Sequence, residues 1–252
     1  MVAAQECRDL WIGGRGPVLV FAFSVLLSAM TYLSATNHAL NFLEQRETVN
    51  LTLRVAFAVG VLLTLVISAD AISGERERGT LESLLLTPVS RRAIVAGKLF
   101  AATTLWFACL LVGLPYLWVL GRGVAVAGSA SLLALSIGTL VAVGLSCLGL
   151  LISAISGSNK VSLAVSLLVL LVLFAPTQLP ALPKTGFGDV LLRVNPIGSA
   201  LHYVSLVLVN RHGWTQDLSY LVSPVAVAVL AGGVLIALGP RIVRLSGGVS
   251  AE

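Results

Sequence analysis

Charged side chains are scarce in this chain: Lys and Arg number 16 and Asp and Glu 11, so only 11% of 252 residues carry charge. Soluble domains carry about 25%, and no water-facing surface can be built from so few. A soluble globular enzyme is excluded. Disorder is excluded on the opposite count, because it needs low hydrophobicity with high charge, whereas 57% of these residues are hydrophobic and mean hydropathy is +0.99. Cysteine is also sparse. Cys7, Cys109 and Cys147 are odd in number and far apart, which is no disulfide framework. The three histidines, His38, His202 and His212, are too scattered for a zinc-ligand pattern, and there is no HExxH helix, GxSxG elbow or paired Asp motif. Neither catalytic residues nor a metal site are expected. Gly97-Lys98 is followed by Leu99 and has no Gly five positions before Gly97, so a phosphate-binding GxxxxGKS/T loop is missing. No nucleic-acid partner is expected, and a bilayer is the partner the composition demands.

What is present is a set of long apolar runs. A helix crossing the hydrocarbon core needs roughly 20 mostly apolar residues, and six segments fit: Pro17 to Thr36, Leu51 to Ile72, Leu99 to Leu120, Ala127 to Ile152, Val161 to Ala175 and Leu218 to Leu238. The expected fold class is therefore an all-α polytopic membrane protein, a single transmembrane domain over residues 1–252. Residues 1–16 read as an interfacial helix, because Ala3, Cys7, Leu10 and Trp11 form an apolar stripe opposite Gln5, Glu6, Arg8 and Asp9. Arg8 and Arg15 precede an apolar run, as in a signal peptide, but five more spans follow, so cleavage is not expected.

A seventh candidate begins at Asn195, a natural N-cap followed by Pro196 as first helical residue. Up to Val209 it makes only about 14 helical residues, roughly 21 Å, too short to span. Ile197, Leu201, Val204 and Leu208 share a stripe while Ser199, His202 and Ser205 fall elsewhere, so an interfacial or re-entrant helix is expected, lying within an external segment, 176–217.

The positive-inside rule sets the orientation. Arg8, Arg15, Arg76, Arg78, Arg91, Arg92, Lys98, Lys160, Arg241 and Arg244 fall on one side; Arg46, Arg54, Arg122, Lys184, Arg193 and Arg211 fall on the other. Both termini are thus expected in the cytoplasm, together with the loop 73–98, which holds five of the ten.

That loop is the informative segment, with eight charges in 26 residues. Glu75, Arg76, Glu77 and Arg78 are consecutive and alternate in sign, and Arg78 can pair with Glu82 at i,i+4. A break at Thr87-Pro88 then starts a fresh helix capped by Thr87 or Ser90. Arg91 and Arg92 fall in its first turn, where the helix dipole disfavours cations by a few tenths of a kcal/mol. Anionic lipid explains arginine on a cytoplasmic loop but does not select mixed-sign charge, so a docking element for a cytoplasmic partner is the sharper reading.

The run GERERGTLESLLLTPVSRRAIVAGK resembles the signature cytoplasmic loop of the ABC-2 family of ABC exporter permeases, which includes drug and antibiotic exporters, sodium exporters and the permease of nitrous oxide reductase maturation. In that family GERExGTLE ends the second span, PVSRxxxxxGK forms the coupling helix and the entry to the third, and both touch a separate nucleotide-binding subunit. The resemblance implies ATPase-coupling roles for Gly74, Glu75, Arg76, Glu77, Arg78, Gly79, Thr80, Glu82, Pro88, Ser90, Arg91 and Arg92. It further implies ATP and Mg on the partner ATPase rather than on this chain, a second permease subunit, identical or paralogous, and a place in a bacterial inner membrane. Drug, antibiotic or other small-molecule efflux is the expected task.

Two other classes share some of these features. A secondary transporter would need ionisable groups at mid-membrane, and the spans have almost none. A non-transporting component of an ATPase-driven assembly would carry the same loop. Elsewhere, Ala134, Gly138, Ala142 and Ser146 repeat every four residues, a small-residue stripe suited to close helix packing. Asp70 reads as an interfacial residue satisfied by water or Arg78. Trp106, Tyr116 and Trp118 read as belt aromatics.

Overall fold

The computed structural model of the chain describes residues 2–36, 42–81, 89–122, 126–178 and 186–242. Every regular element among them is helical: α1 Val2–Ile12, α2 Arg15–Thr36, α3 Phe42–Glu77, α4 Arg91–Leu120, α5 Ala127–Ile155, α6 Asn159–Gln178, α7 Gly186–Val194, α8 Pro196–Leu208 and α9 Val222–Ile242, the last preceded by a 3-10 turn at Leu218–Leu221. Six of these are long and apolar enough to cross a membrane: α2 to α6 and α9 with its leading turn. They coincide with the six expected runs, because span length is dictated by bilayer thickness. Lys184, Arg244, Glu82, Thr87 and Pro88 lie outside the described residues.

The spans fall into an inner and an outer set. Within the chain α3, α4 and α5 bury 44%, 50% and 56% of their apolar windows, whereas α2, α6 and α9 bury 17% each. The outer faces are left for lipid or for another chain. α3 is the central post, in contact with α2, α4, α5, α6 and α8. It is 36 residues long, about 54 Å at 1.5 Å per residue, so it outruns a hydrocarbon core of about 30 Å and carries its polar end clear of the apolar layer. The sequence reading ended this span at Ile72 and began the third at Leu99; both helices extend further, to Glu77 and back to Arg91. Those added turns carry charges, which end an apolar run before the helix ends.

Close packing at the centre is organised around Trp106 of α4. Its ring is held between two glycines: a Cβ at Gly60 of α3 would lie 2.8 Å from it and a Cβ at Gly138 of α5 2.7 Å. Phe57 meets the same ring edge-on at 6.0 Å, and the indole Nε1 donates to Thr139 Oγ1 at 3.0 Å. The belt reading of Trp106 is therefore corrected: the residue is 4% exposed and fills the core. Trp118 is exposed, and Tyr116 Oη shares hydrogen bonds with Ser24 and Ser28 of α2. Ala134, Gly138, Ala142 and Ser146 are all buried, and a π-helical turn over Ala134–Gly138 shifts the register of α5 where the tryptophan seats.

Asn195 caps α8 as its sequence indicates, its side chain accepting from the Ile197 and Gly198 amides at 3.0 Å each. The helix is not laid on a surface. It meets α7 at 99°, and it is buried on nearly every side, Ser199, Ala200 and Tyr203 as deeply as the anticipated stripe of Ile197, Leu201, Val204 and Leu208. Of the two expectations the interfacial one is corrected and the re-entrant one fits, because α8 inserts among α3, α5, α6 and α9. The polar corner between α7 and α8 is satisfied internally: Asn195 Nδ2 donates to Leu173 O at 2.7 Å, and Ser223 Oγ donates to Val194 O at 2.5 Å. α7 was not anticipated. Nine residues with an Asp189–Arg193 pair are too short to stand out beside proline-rich flanks.

Candidate functional site

The polar end of α3 gathers the ends of its neighbours. Positions 75 to 78 are successive residues about 100° apart around the helix, so their side chains leave in four directions. Each one finds a different neighbour.

Glu75 pairs with Lys98 of α4 at 2.5 Å, and Lys98 also lies 3.0 Å from Glu6 of α1. The lysine side chain is 2% exposed, a position a cation tolerates only when paired. Burial pushes the Glu6 carboxyl above its ordinary value, with Lys98 pulling the other way. α1 reaches this lysine because Gly97 lets it approach: a Cβ there would meet Val2 Cγ1 at 3.0 Å and Ala3 N at 3.3 Å. Trp11 Nε1 adds a bond to Thr104 Oγ1 at 3.2 Å.

Arg76 turns to the end of α5. Its guanidinium donates to Ala154 O at 3.0 Å and to Ser156 O, carbonyls that a helix C-terminus leaves without partners and whose partial negative charge favours a cation. Glu77 does the converse for α6, its Oε2 accepting from the Asn159 amide at 3.1 Å at the helix start. Arg78 folds back along α3 to Asp70 at 3.0 Å.

Asp70 is the meeting point. Besides Arg78 it accepts from Arg15 of α2 at 2.8 Å and from Asn159 Nδ2 of α6 at 2.7 Å. Asn159 Oδ1 in turn accepts from Ser73 Oγ at 3.1 Å. Asp70, Gly74 and Arg78 are stacked one turn apart, and a Cβ at Gly74 would lie 2.2 Å from Asp70 Oδ1 and 2.9 Å from Arg78 Nη2. Glycine is required there for the pair to cross the helix surface. Gly79 then takes a positive φ of 71° and ends the helix, its amide donating to Arg76 O. Thr80 Oγ1 donates to Glu75 O at 3.3 Å, and Leu81 is buried against Ile72, Val95 and Leu150.

The other side of the junction is the start of α4. Ser90 is its N-cap, accepting from the Ala93 amide at 3.3 Å, one of the two caps its sequence allowed. Arg91 and Arg92 are exposed in the first turn. Beside them Val2, Ala3, Val89, Ala93 and Phe100 line a cleft of about 640 Å³.

The sequence reading offered Glu75, Arg76, Glu77 and Arg78 as charges for a partner. Within the chain all four are engaged, because helix ends crowd around α3 at this level and present unpaired carbonyls, amides and opposite charges. Glu6, Arg15, Lys98 and Asn159 complete the site. None could be assigned to it from spacing, since α1, α2, α4 and α6 converge only in three dimensions.

A family model described as ABC-2 family transporter protein matches residues 12–244. No individual curated protein matches the chain. The match covers all six candidate spans and the whole junction between α3 and α4, so the chain belongs to the ABC-2 family as a membrane permease.

Proposed function

We propose that this permease is the transmembrane half of an ATP-driven exporter, worked by a separate cytoplasmic ATPase subunit that grips the segment 74–98 and carries the ATP and Mg. Two such permeases, identical or paralogous, enclose the pathway in a bacterial inner membrane, with both termini cytoplasmic. The cargo is a drug, an antibiotic or another small molecule.

The observation that carries this reading is the division of four consecutive charges among α1 and α4, α5, α6 and, through Asp70, α2. Force applied to the end of α3 reaches five other helices through ion pairs and helix caps rather than through soft apolar contacts. Supporting it, Arg91 and Arg92 stay exposed at a helix start that disfavours cations, beside an apolar cleft, as an acidic and partly apolar partner surface would require. The inner charges transmit; the outer arginines and the cleft dock.

Copurification with the product of a neighbouring ATPase gene, followed by transport in vesicles, tests the proposal. Arg91→Glu with Arg92→Glu is expected to abolish association while leaving insertion intact. Arg76→Gln is expected to keep association and lose coupled transport. Labelling of the loop from the periplasmic side, or an ATPase that never associates, overturns the reading. Sustained ATPase turnover with no compound moved reassigns the chain to a non-transporting assembly.

A further inference from the structure

At the end of the bundle opposite Asp70, α3 carries Arg46, Asn50 and Arg54 at successive i,i+4 positions, a single stripe along one face. That stripe lies against α8. Arg46 Nη1 donates to Leu208 O at 3.1 Å and Asn50 Nδ2 to Ser205 Oγ at 3.4 Å, so Arg54, one turn further in, faces the level of His202. Arg54 is about 24 Å along the helix from Asp70. With Asp70 taken at one boundary of a hydrocarbon core of about 30 Å, the backbone at Arg54 falls just inside the other, where an ionisable group marks a functional site by default.

Three buried polar atoms on the stripe have no partner among the described residues: Arg46 Nε, Asn50 Oδ1 and Arg54 Nε. Asn50 is 5% exposed. Consecutive orphans on one face are unlike isolated packing flaws, since buried polar groups are otherwise paired. The charge of Arg54 is met only at a distance, by Glu47 two turns back on α3. Arg54 makes no hydrogen bond or ion pair with the described residues. Of the neighbouring acids, Asp217 lies 2.7 Å from His212 Nδ1, Asp189 pairs with Arg193 at 2.8 Å, and Glu47 is exposed and makes no ion-pair contact with Arg54. Arg211, in the turn after α8, adds its positive charge to the field at Arg46.

We infer that Arg46, Asn50 and Arg54 form, with α8, a binding site for a carboxylate or phosphate group that carries an adjacent hydrogen-bond donor. The two Nε–H groups and the free guanidinium donors of Arg54 meet the anion, in the charge-assisted geometry that arginine provides; Asn50 Oδ1 takes the donor. A neutral apolar occupant would leave all three atoms unpaired, and water would bring no counter-charge. The site exists independently of the exporter reading. Its role as a station for an anionic cargo or an anionic lipid on the outer half of the pathway rests on that reading.

The test uses the full-length chain, purified in detergent and in nanodiscs, with thermal unfolding as readout. Dodecyl phosphate is expected to raise Tm saturably, with an apparent affinity about tenfold weaker or worse in Arg46→Gln and Arg54→Gln and unchanged in Arg8→Gln at the far end. Arg54→Lys keeps the charge but lacks Nε, loses part of the affinity, and serves if Arg54→Gln does not fold. Equal stabilisation by inorganic phosphate identifies a free anion as the ligand; stabilisation by phosphatidylglycerol over phosphatidylcholine nanodiscs, with none from inorganic phosphate, identifies a lipid headgroup. A wild-type protein stabilised by none of the three, or an Arg46→Gln/Arg54→Gln chain stabilised as fully as wild type, overturns the inference. No ATPase is needed for this measurement, so its failure leaves the exporter reading standing, and failure to find an ATPase leaves the site standing.

Discussion

Lys98 and Glu75 meet at 2.5 Å inside the polar end of the bundle, on a lysine whose side chain is 2% exposed. The same ammonium holds Glu6 at 3.0 Å, so one buried cation joins α1, α3 and α4. Two carboxylates around one cation leave the group with surplus negative charge, and its stability depends on the lysine staying in place.

Replacing Lys98 by Met keeps the bulk of the stem and removes the charge, leaving Glu6 and Glu75 facing each other. Breaking a buried ion pair from one side costs about 3–5 kcal/mol, and a loss of that order in thermal or SDS-induced unfolding is expected. Adding Glu6→Gln and Glu75→Gln to the same chain should recover most of it. A single variant as stable as wild type would show that the triad is not clamping these helices.

Glu6 gives the junction a pH dependence. Burial places its folded-state pKa above the ordinary 4.5, so its titration stabilises the fold fully below that value and the contribution is lost as pH rises through the folded-state pKa. The stability of wild type relative to Glu6→Gln should therefore decline as pH rises from about 4.5 through the folded-state pKa and then level off. Paired unfolding measurements across that range check the sign; a difference that rises with pH contradicts it.

Gly74→Ala separates stability from coupling. Alanine gains about 1 kcal/mol of helix propensity over glycine, while its Cβ displaces the Asp70 carboxylate from Arg78. The displaced group is a movable side-chain end, so the fold should survive with a net change within about 1 kcal/mol. Coupled transport should fall sharply, because Asp70 no longer ties α2 and α6 to the end of α3. Normal transport by a chain of unchanged Tm would rule out that function for the Asp70 junction.

At the core, Gly138→Ala places a methyl 2.7 Å from the Trp106 ring. Overpacking of this kind costs about 1–3 kcal/mol. Trp106→Phe, which shortens the ring system, should be destabilising alone but should suppress part of the Gly138→Ala loss when the two are combined. Additive losses in the double-mutant cycle would argue against the contact.

Much of this architecture is legible in residue order because the physics behind it is local or is set by the solvent. Apolar runs must match the thickness of a bilayer, so hydropathy finds the six spans. Caps are read within three residues, so Asn195-Pro196 marks the start of α8 without any tertiary context, and the sequence narrows the start of α4 to Thr87 or Ser90, of which Ser90 caps the helix. Charged continuations of spans have no such signal, which is why α3 and α4 are longer than their apolar cores, and the nine residues of the amphipathic α7 are too few to carry a periodic one.

By itself the sequence determined that the chain is a six-span membrane permease with a charged junction between its second and third spans. Only the tertiary structure decided where that charge is directed. Glu75, Arg76, Glu77 and Arg78 are four letters in a row, but their partners Lys98, Ala154, Asn159 and Asp70 lie on other turns and other helices, and a helix sends adjacent residues to different sides. The same holds for Trp106, an aromatic suited to an interface by type and buried by the two glycines opposite it, and for α8, whose polar flank is covered because the surrounding helices leave a space of its shape. Periodicity specifies which residues share a face of one helix; which neighbour meets that face is fixed by packing among all of them.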